Sequence, residues 1–274
     1  MDSQVLFALL ITTAAGLSTG VGSVLGLLAQ GFQPRLLSLS LSFSAGVMLF
    51  VSFVEILPKA RLSLAAALGE RPGHAAALLA FFAGIGLIAL IDRWLPQHQL
   101  LPPESGSTRP ARATRTATGA ASSDAALLRT GLFTALAIAI HNFPEGLVTF
   151  LGAITQPRLG IGIALAIAIH NIPEGLAISA PIYYATGRRW LAFVLSLASG
   201  LAEPLGALIG FLLLGRHLSP LLFGVVFASV AGVMVYLCLD ELLPAARRHG
   251  DHAVTMAGVL GGMAVMGLSL VLLA

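Results

Sequence analysis

Two stretches decide how this chain is read: "ALAIAIHNFPEGL" (residues 135–147) and "ALAIAIHNIPEGL" (164–176), identical at twelve of thirteen positions and offset by 29 residues. Each carries a His, an Asn and a Glu through sequence that is otherwise oily. A chain that places the same polar cluster twice where polarity costs most must have something there to compensate it.

Working outward, the surrounding sequence identifies the solvent. Of the 274 residues, 57% are hydrophobic and 10% charged, against about 25% charged in soluble domains. Apolar stretches at 4–28, 36–58, 74–95, 125–153, 159–184, 190–215, 219–244 and 252–274 each reach the roughly 20 helical residues that a bilayer core requires. The fold class expected is an all-α polytopic membrane protein with eight transmembrane helices. Asp2 and no basic residue precedes the first span, unlike a cleavable signal peptide, so that span is expected to remain. Cys238 is the one cysteine; it excludes an internal disulfide and a cysteine-rich metal site, and reads as a small packing residue.

Domain organisation follows from the same pattern: helices 1–3 over residues 1–95, a linker over 96–124, a central helix pair over 125–184, and helices 6–8 over 185–274. The linker is rich in Pro, Ser, Thr, Ala and Arg without apolar periodicity, which predicts a disordered segment. Lys and Arg divide ten to five between the two sets of connections, so the positive-inside rule puts the linker in the cytoplasm and both termini outside the cell membrane. The net charge of +3 is mostly this bias, and no nucleic-acid partner is needed to account for it.

Of the twelve acids, Glu55, Glu145, Glu174, Glu203, Asp240 and Glu241 fall within or at the ends of apolar spans; of the seven histidines, His141 and His170 do. An ionised side chain at mid-membrane costs at least about 2.5–3.5 kcal/mol, which makes such residues functional candidates. The only basic residues in these predicted spans, Arg93 and Arg129, lie near span ends and away from the buried acids, so the compensating cation is a proton or a metal ion. Spacing favours metal. His141 and Glu145 stand at i and i+4, one helix face, about 6 Å apart along the axis, with Asn142 beside them. His170, Asn171 and Glu174 repeat the pattern. Pro144 and Pro173 lie between the ligands and free the carbonyls of Ile140 and Ile169, a kink that offers room and oxygen.

The two copies lie on successive, hence antiparallel, spans. Identical sequences on antiparallel helices imply a two-fold axis in the membrane plane, the inverted-repeat arrangement of secondary transporters. "FVEILPKAR" (53–61) and "CLDELLPAAR" (238–247) echo each other near the ends of spans two and seven. The expected architecture is 3+2+3, with a metal site between kinked helices 4, 5 and 6. Glu55, Asp240 and Glu241 are candidates for lining a pathway. Ser38, Ser40, Ser42 and Ser44 read as helix-packing groups.

With "GLAEPLGA" (200–207) on the sixth span, the duplicated His-Asn-x-Pro-Glu-Gly resembles the ZIP family of zinc- and iron-type metal transporters, and within it the bacterial ZupT-like branch. The resemblance spans all eight helices. It implies a two-metal site: His141, Glu145, His170 and Glu174 around one ion, Asn142, Asn171 and Glu203 around a second, with the central glutamates bridging. It also implies import to the cytoplasm, an elevator-like motion of helices one, four, five and six, and a homodimer. The linker departs from many relatives in carrying only His98 where they are His-rich.

The competing reading is a membrane-embedded dinuclear metalloenzyme. Di-iron bundles use Glu-x-x-His, whereas this chain has the reverse order, His-x-x-x-Glu, and no nucleophile beside a base, so an enzyme is not expected and no catalytic cofactor is called for. The nitrogen and oxygen ligand set suits Zn²⁺ and also Fe²⁺, Mn²⁺, Co²⁺ and Cd²⁺.

Overall fold

The computed structural model describes residues 3–28, 33–94, 117–214 and 219–273, and among these it is helical with no strand. Among the described residues, eight helices are long and apolar enough to cross a membrane: α1 (Ser3–Leu28), α2 (Pro34–Leu68), α3 (Glu70–Trp94), α4 (Ala117–Thr155), α5 (Pro157–Thr186), α6 (Arg189–Leu214), α7 (Pro220–His249) and α8 (His252–Leu273). Proline opens α2, α5 and α7, where its missing N–H goes unneeded and its φ already suits the helix. Ser219 caps α7 by accepting the Leu222 N–H at 3.2 Å. Gly187, at φ +68°, ends α5 in the left-handed conformation that only glycine adopts cheaply.

The expected linker 96–124 lies outside the described residues as far as 116. Its last eight residues form the start of α4. The second and seventh spans also run past their expected ends, through Pro58 and Pro244. Each absorbs its proline with a π turn just before it, Ser52–Ile56 in α2 and Cys238–Leu242 in α7. In these wide turns Leu57 donates to the Ser52 carbonyl and Leu243 to that of Cys238, so the hydrogen-bond ladder slips by one residue where the proline would break it. The turns coincide with the echoed segments: 52, 55 and 58 correspond to 238, 241 and 244.

Packing among the helices relies on glycine, because no hydrophobic drive joins helices in lipid and close backbone approach must supply the contact. In α1 and α6, Gly16 and Gly200 each face the other's carbonyl. A Cβ at Gly22 of α1 would strike the Ile172 carbonyl of α5, and one at Gly206 of α6 the Phe143 carbonyl of α4. Likewise Gly46 of α2 abuts Val259 of α8, and Gly232 of α7 abuts Phe81 of α3. Helices α2, α4, α5 and α7 are the most buried, while α3, α6 and α8 expose leucines such as Leu79, Leu213 and Leu272 along their outer faces. One open apolar crevice of about 820 Å³ runs along α3, α4 and α6, lined by Leu87, Ile91, Phe143, Pro144 and Leu205 among others. None of the candidate ligands borders it.

Candidate metal centre

The i, i+4 spacing on two antiparallel helices has a geometric consequence. The His of each helix lies level with the Glu of the other, and the structure contains these crossed pairs. His170 Nε2 of α5 stands 3.2 Å from Glu145 Oε2 of α4, and His141 Nε2 of α4 stands 3.8 Å from Glu174 Oε1 of α5. The two pairs exchange under the 29-residue offset. Pro144 and Pro173 sit inside continuous helices.

The asparagines are held by their amide nitrogens. Asn142 Nδ2 donates to the Ser199 carbonyl of α6 at 3.1 Å, and Asn171 Nδ2 to the Ala15 carbonyl of α1 at 3.0 Å. Asn171 Nδ2 also donates to Glu203 Oε1, which brings α6 to the site. Each amide is thereby oriented with its oxygen free. Gly146 and Gly175, next to the two carboxylates, permit the close approach of Glu203's backbone to α4 and of Thr19's to α5; packing accounts for both glycines.

All seven candidates, His141, Asn142, Glu145, His170, Asn171, Glu174 and Glu203, are at most 1% exposed. Among the described residues, twelve buried side-chain nitrogen and oxygen atoms have no hydrogen-bond partner. Eight belong to these seven residues, and each of the seven contributes at least one. Buried polar atoms are normally satisfied, so a cluster of unsatisfied nitrogen and oxygen donors fits a site meant for a cation. No group of three or more His, Cys, Asp or Glu among the described residues is arranged to hold a metal ion as it stands; the carboxylates face the imidazoles instead.

Ser44 of α2 departs from the packing role expected of it. Its Oγ donates to Glu174 Oε1 at 3.1 Å, tying α2 to the ligand helix. Glu55 has a cationic partner that the expected spans left out: Lys59, one turn on in the longer α2, lies 4.0 Å away. Glu241 is half-buried on the π turn of α7, near enough to His141 for its charge to act on the imidazole, and Asp240 stands in the same relation to Tyr236. Sequence reasoning missed Asp92 of α3, which is 8% exposed and accepts from the Tyr236 hydroxyl at 3.5 Å. It lies inside the third predicted span, 74–95, beside Arg93.

Comparison with known proteins settles the family. A family model described as "ZIP Zinc transporter" matches residues 96–270. The chain is also 54% identical over 272 residues to the zinc transporter ZupT of Chlorobium chlorochromatii (strain CaD3), covering 99% of each chain. The chain belongs to the ZIP family. Among other ZIP relatives, the zinc transporter ZupT of Lysinibacillus sphaericus (strain C3-41) is 52% identical over 273 residues with 100% of both chains covered, and that of Corynebacterium efficiens is 51% identical over 270 residues with 98% of both covered. ZIP proteins are transporters, not enzymes, so the metalloenzyme reading falls away.

Proposed function

We propose that this chain carries divalent metal ions, Zn²⁺ first among them, across the cell membrane into the cytoplasm through an occluded two-ion site. The observation that carries the reading is the concentration of unsatisfied, fully buried nitrogen and oxygen donors on His141, Asn142, Glu145, His170, Asn171, Glu174 and Glu203. One dication draws the imidazoles and carboxylates of α4 and α5 out of their crossed pairs and takes His141, Glu145, His170 and Glu174 as ligands. A second takes the oxygens of Asn142, Asn171 and Glu203, and the central carboxylates bridge the two. The donors exclude thiolate, which suits a cargo that must leave again and admits Fe²⁺, Mn²⁺, Co²⁺ and Cd²⁺ as well.

Complete burial of the donors favours alternating access, since a fixed open channel would wet them. Inverted 3+2+3 symmetry supplies the two states. It is supported by the crossed His–Glu pairs, by the matched π turns of α2 and α7, and by the matched pairs α2 with α8 and α7 with α3. In this reading Glu55 stands on the external side and Asp240 and Glu241 on the cytoplasmic side, both termini are outside, and α1, α4, α5 and α6 move together against the rest. A homodimer completes the reading on family resemblance alone.

The test is Glu203→Gln. Glu203 is the one carboxylate of the second position that is not shared. A dication and a carboxylate about 4 Å apart attract by several kcal/mol at an effective dielectric of about 20, and losing even about 2.7 kcal/mol of that weakens binding about a hundredfold. Purified wild-type protein is expected to hold two Zn²⁺ per chain at equilibrium and the variant one, with uptake reduced yet measurable. A count of two in the variant would remove Glu203 from the ligand set.

A further inference from the structure

Helices α1 and α6 share a register that composition hides. Residues 15–22, "AGLSTGVG", align with 199–206, "SGLAEPLG", at a constant separation of 184. The backbone approaches of α1 and α6 described above obey it. Gly16 pairs with Gly200; Gly22 meets Ile172 as Gly206 meets Phe143; and Gly175 meets Thr19 as Gly146 meets Glu203. The asparagine bonds obey it too, since Asn171 donates to Ala15 and Asn142 to Ser199. Under this correspondence the residue that stands on α1 where Glu203 stands on α6 is Thr19.

Thr19 is fully buried, and its hydroxyl has no partner. A helical threonine ordinarily bonds the carbonyl four residues back, here that of Ala15. That oxygen already accepts from Ser18 Oγ at 2.6 Å and from Asn171 Nδ2 at 3.0 Å. The symmetry also supplies a missing bond. Glu203 reaches Asn171, while Thr19, with the shorter side chain, makes no bond to Asn142, whose Oδ1 is likewise unpartnered. The α1 side of the site therefore presents two unsatisfied oxygens where the α6 side presents a carboxylate.

We propose that Thr19 is a ligand-side residue of the cation site, the uncharged counterpart of Glu203. Its hydroxyl supplies an oxygen to the second ion from α1, and its neutrality keeps the site one carboxylate short of balancing two dications. Three carboxylates, Glu145, Glu174 and Glu203, face a charge of +4; an acid at position 19 would close that gap and hold the cargo too firmly for release. This inference rests on the two-ion reading proposed above.

An exchange across the pseudo-symmetry tests it. Zn²⁺ is counted at equilibrium on purified wild type, Glu203→Thr, and the double variant Thr19→Glu/Glu203→Thr, which conserves the summed side-chain volume at the α1–α6 crossing. Two ions in wild type, one in Glu203→Thr and two again in the exchange variant are expected. One ion in a folded exchange variant would overturn the role of Thr19, whereas fewer than two in wild type would overturn the two-ion reading beneath it. Should the exchange variant not fold, Thr19→Val and Thr19→Ser decide the matter: Val is expected to weaken the second Zn²⁺ by about tenfold, the scale of a lost support at a metal site, and Ser to retain it. Equal affinity in Val, Ser and wild type would refute the proposal.

Discussion

Replacing Gly175 with alanine probes the seam between the ligand helix and α1. A Cβ there would collide with the Thr19 carbonyl and press on the Ser23 nitrogen. These are backbone atoms of a helix and have no rotamer to escape into, so α1 must retreat by on the order of 1 Å. Overpacking of this kind costs about 1–3 kcal/mol, and the Asn171 to Ala15 bond in the same crossing is stretched with it. Alanine returns up to about 1 kcal/mol through helix propensity, leaving a net loss of about 0–2 kcal/mol. Gly86 in α3 provides the control, because a Cβ there meets nothing within 4 Å; Gly86→Ala should show only the propensity gain. The propensity gain is common to both, so the two variants should differ by the overpacking cost, about 1–3 kcal/mol in unfolding free energy, read as separated thermal transitions in detergent. Because Gly175 adjoins Glu174, Gly175→Ala should also weaken Zn²⁺ binding by about tenfold or more, as losses of ligand support do. If Gly175→Ala unfolds with Gly86→Ala and binds Zn²⁺ equally well, the close α1–α5 approach does not hold the site.

Ser44→Ala removes the hydroxyl donor on Glu174 and should lower stability by about 1.5–3 kcal/mol in ion-free protein, with the difference shrinking at saturating Zn²⁺, when the ion takes over the carboxylate; a deficit unaffected by Zn²⁺ would separate Ser44 from the site. Topology is tested by thiol labelling of intact cells, in which buried Cys238 stays silent: Ala274→Cys should react with an impermeant reagent and Arg115→Cys should not, and the opposite pattern would invert the orientation. Glu55→Gln should leave Zn²⁺ stoichiometry unchanged, since its partner is Lys59 and exposed pairs of this kind contribute only about 0–1 kcal/mol; loss of a bound ion would place Glu55 in the site itself.

What could be read in advance was whatever a membrane makes costly. A duplicated His-Asn-x-Pro-Glu-Gly in apolar sequence is conspicuous because each polar group there needs a partner, and the crossed His–Glu pairs of α4 and α5 follow from its spacing, whereas Glu203 was assigned to the site only through the family resemblance. Prolines misled at 58 and 244, because a π turn, which lets a helix pass through a proline, leaves no compositional mark. The 3+2+3 architecture pairs α1 with α6, but their residue register was not legible: it survives in a few Gly and Leu positions, and the polar member is Thr on one side and Glu on the other. Ser44 could not be told from its neighbours Ser38, Ser40 and Ser42, since the alternation gives the face of a helix and not which hydroxyl meets a carboxylate. The close approaches of Gly146 and Gly175 depend on a third helix arriving at the same level, a tertiary fact that local sequence does not contain.

The central claim is that the buried donors of α4 and α5 carry the ion across the membrane. It is tested most directly by Zn²⁺ flux into liposomes containing purified protein, with wild type, His141→Ala and Glu174→Ala compared at equal incorporation and matched thermal stability. The account predicts saturable Zn²⁺ entry in wild type and entry at the level of protein-free liposomes in both variants. Wild-type rates in the two variants would contradict it.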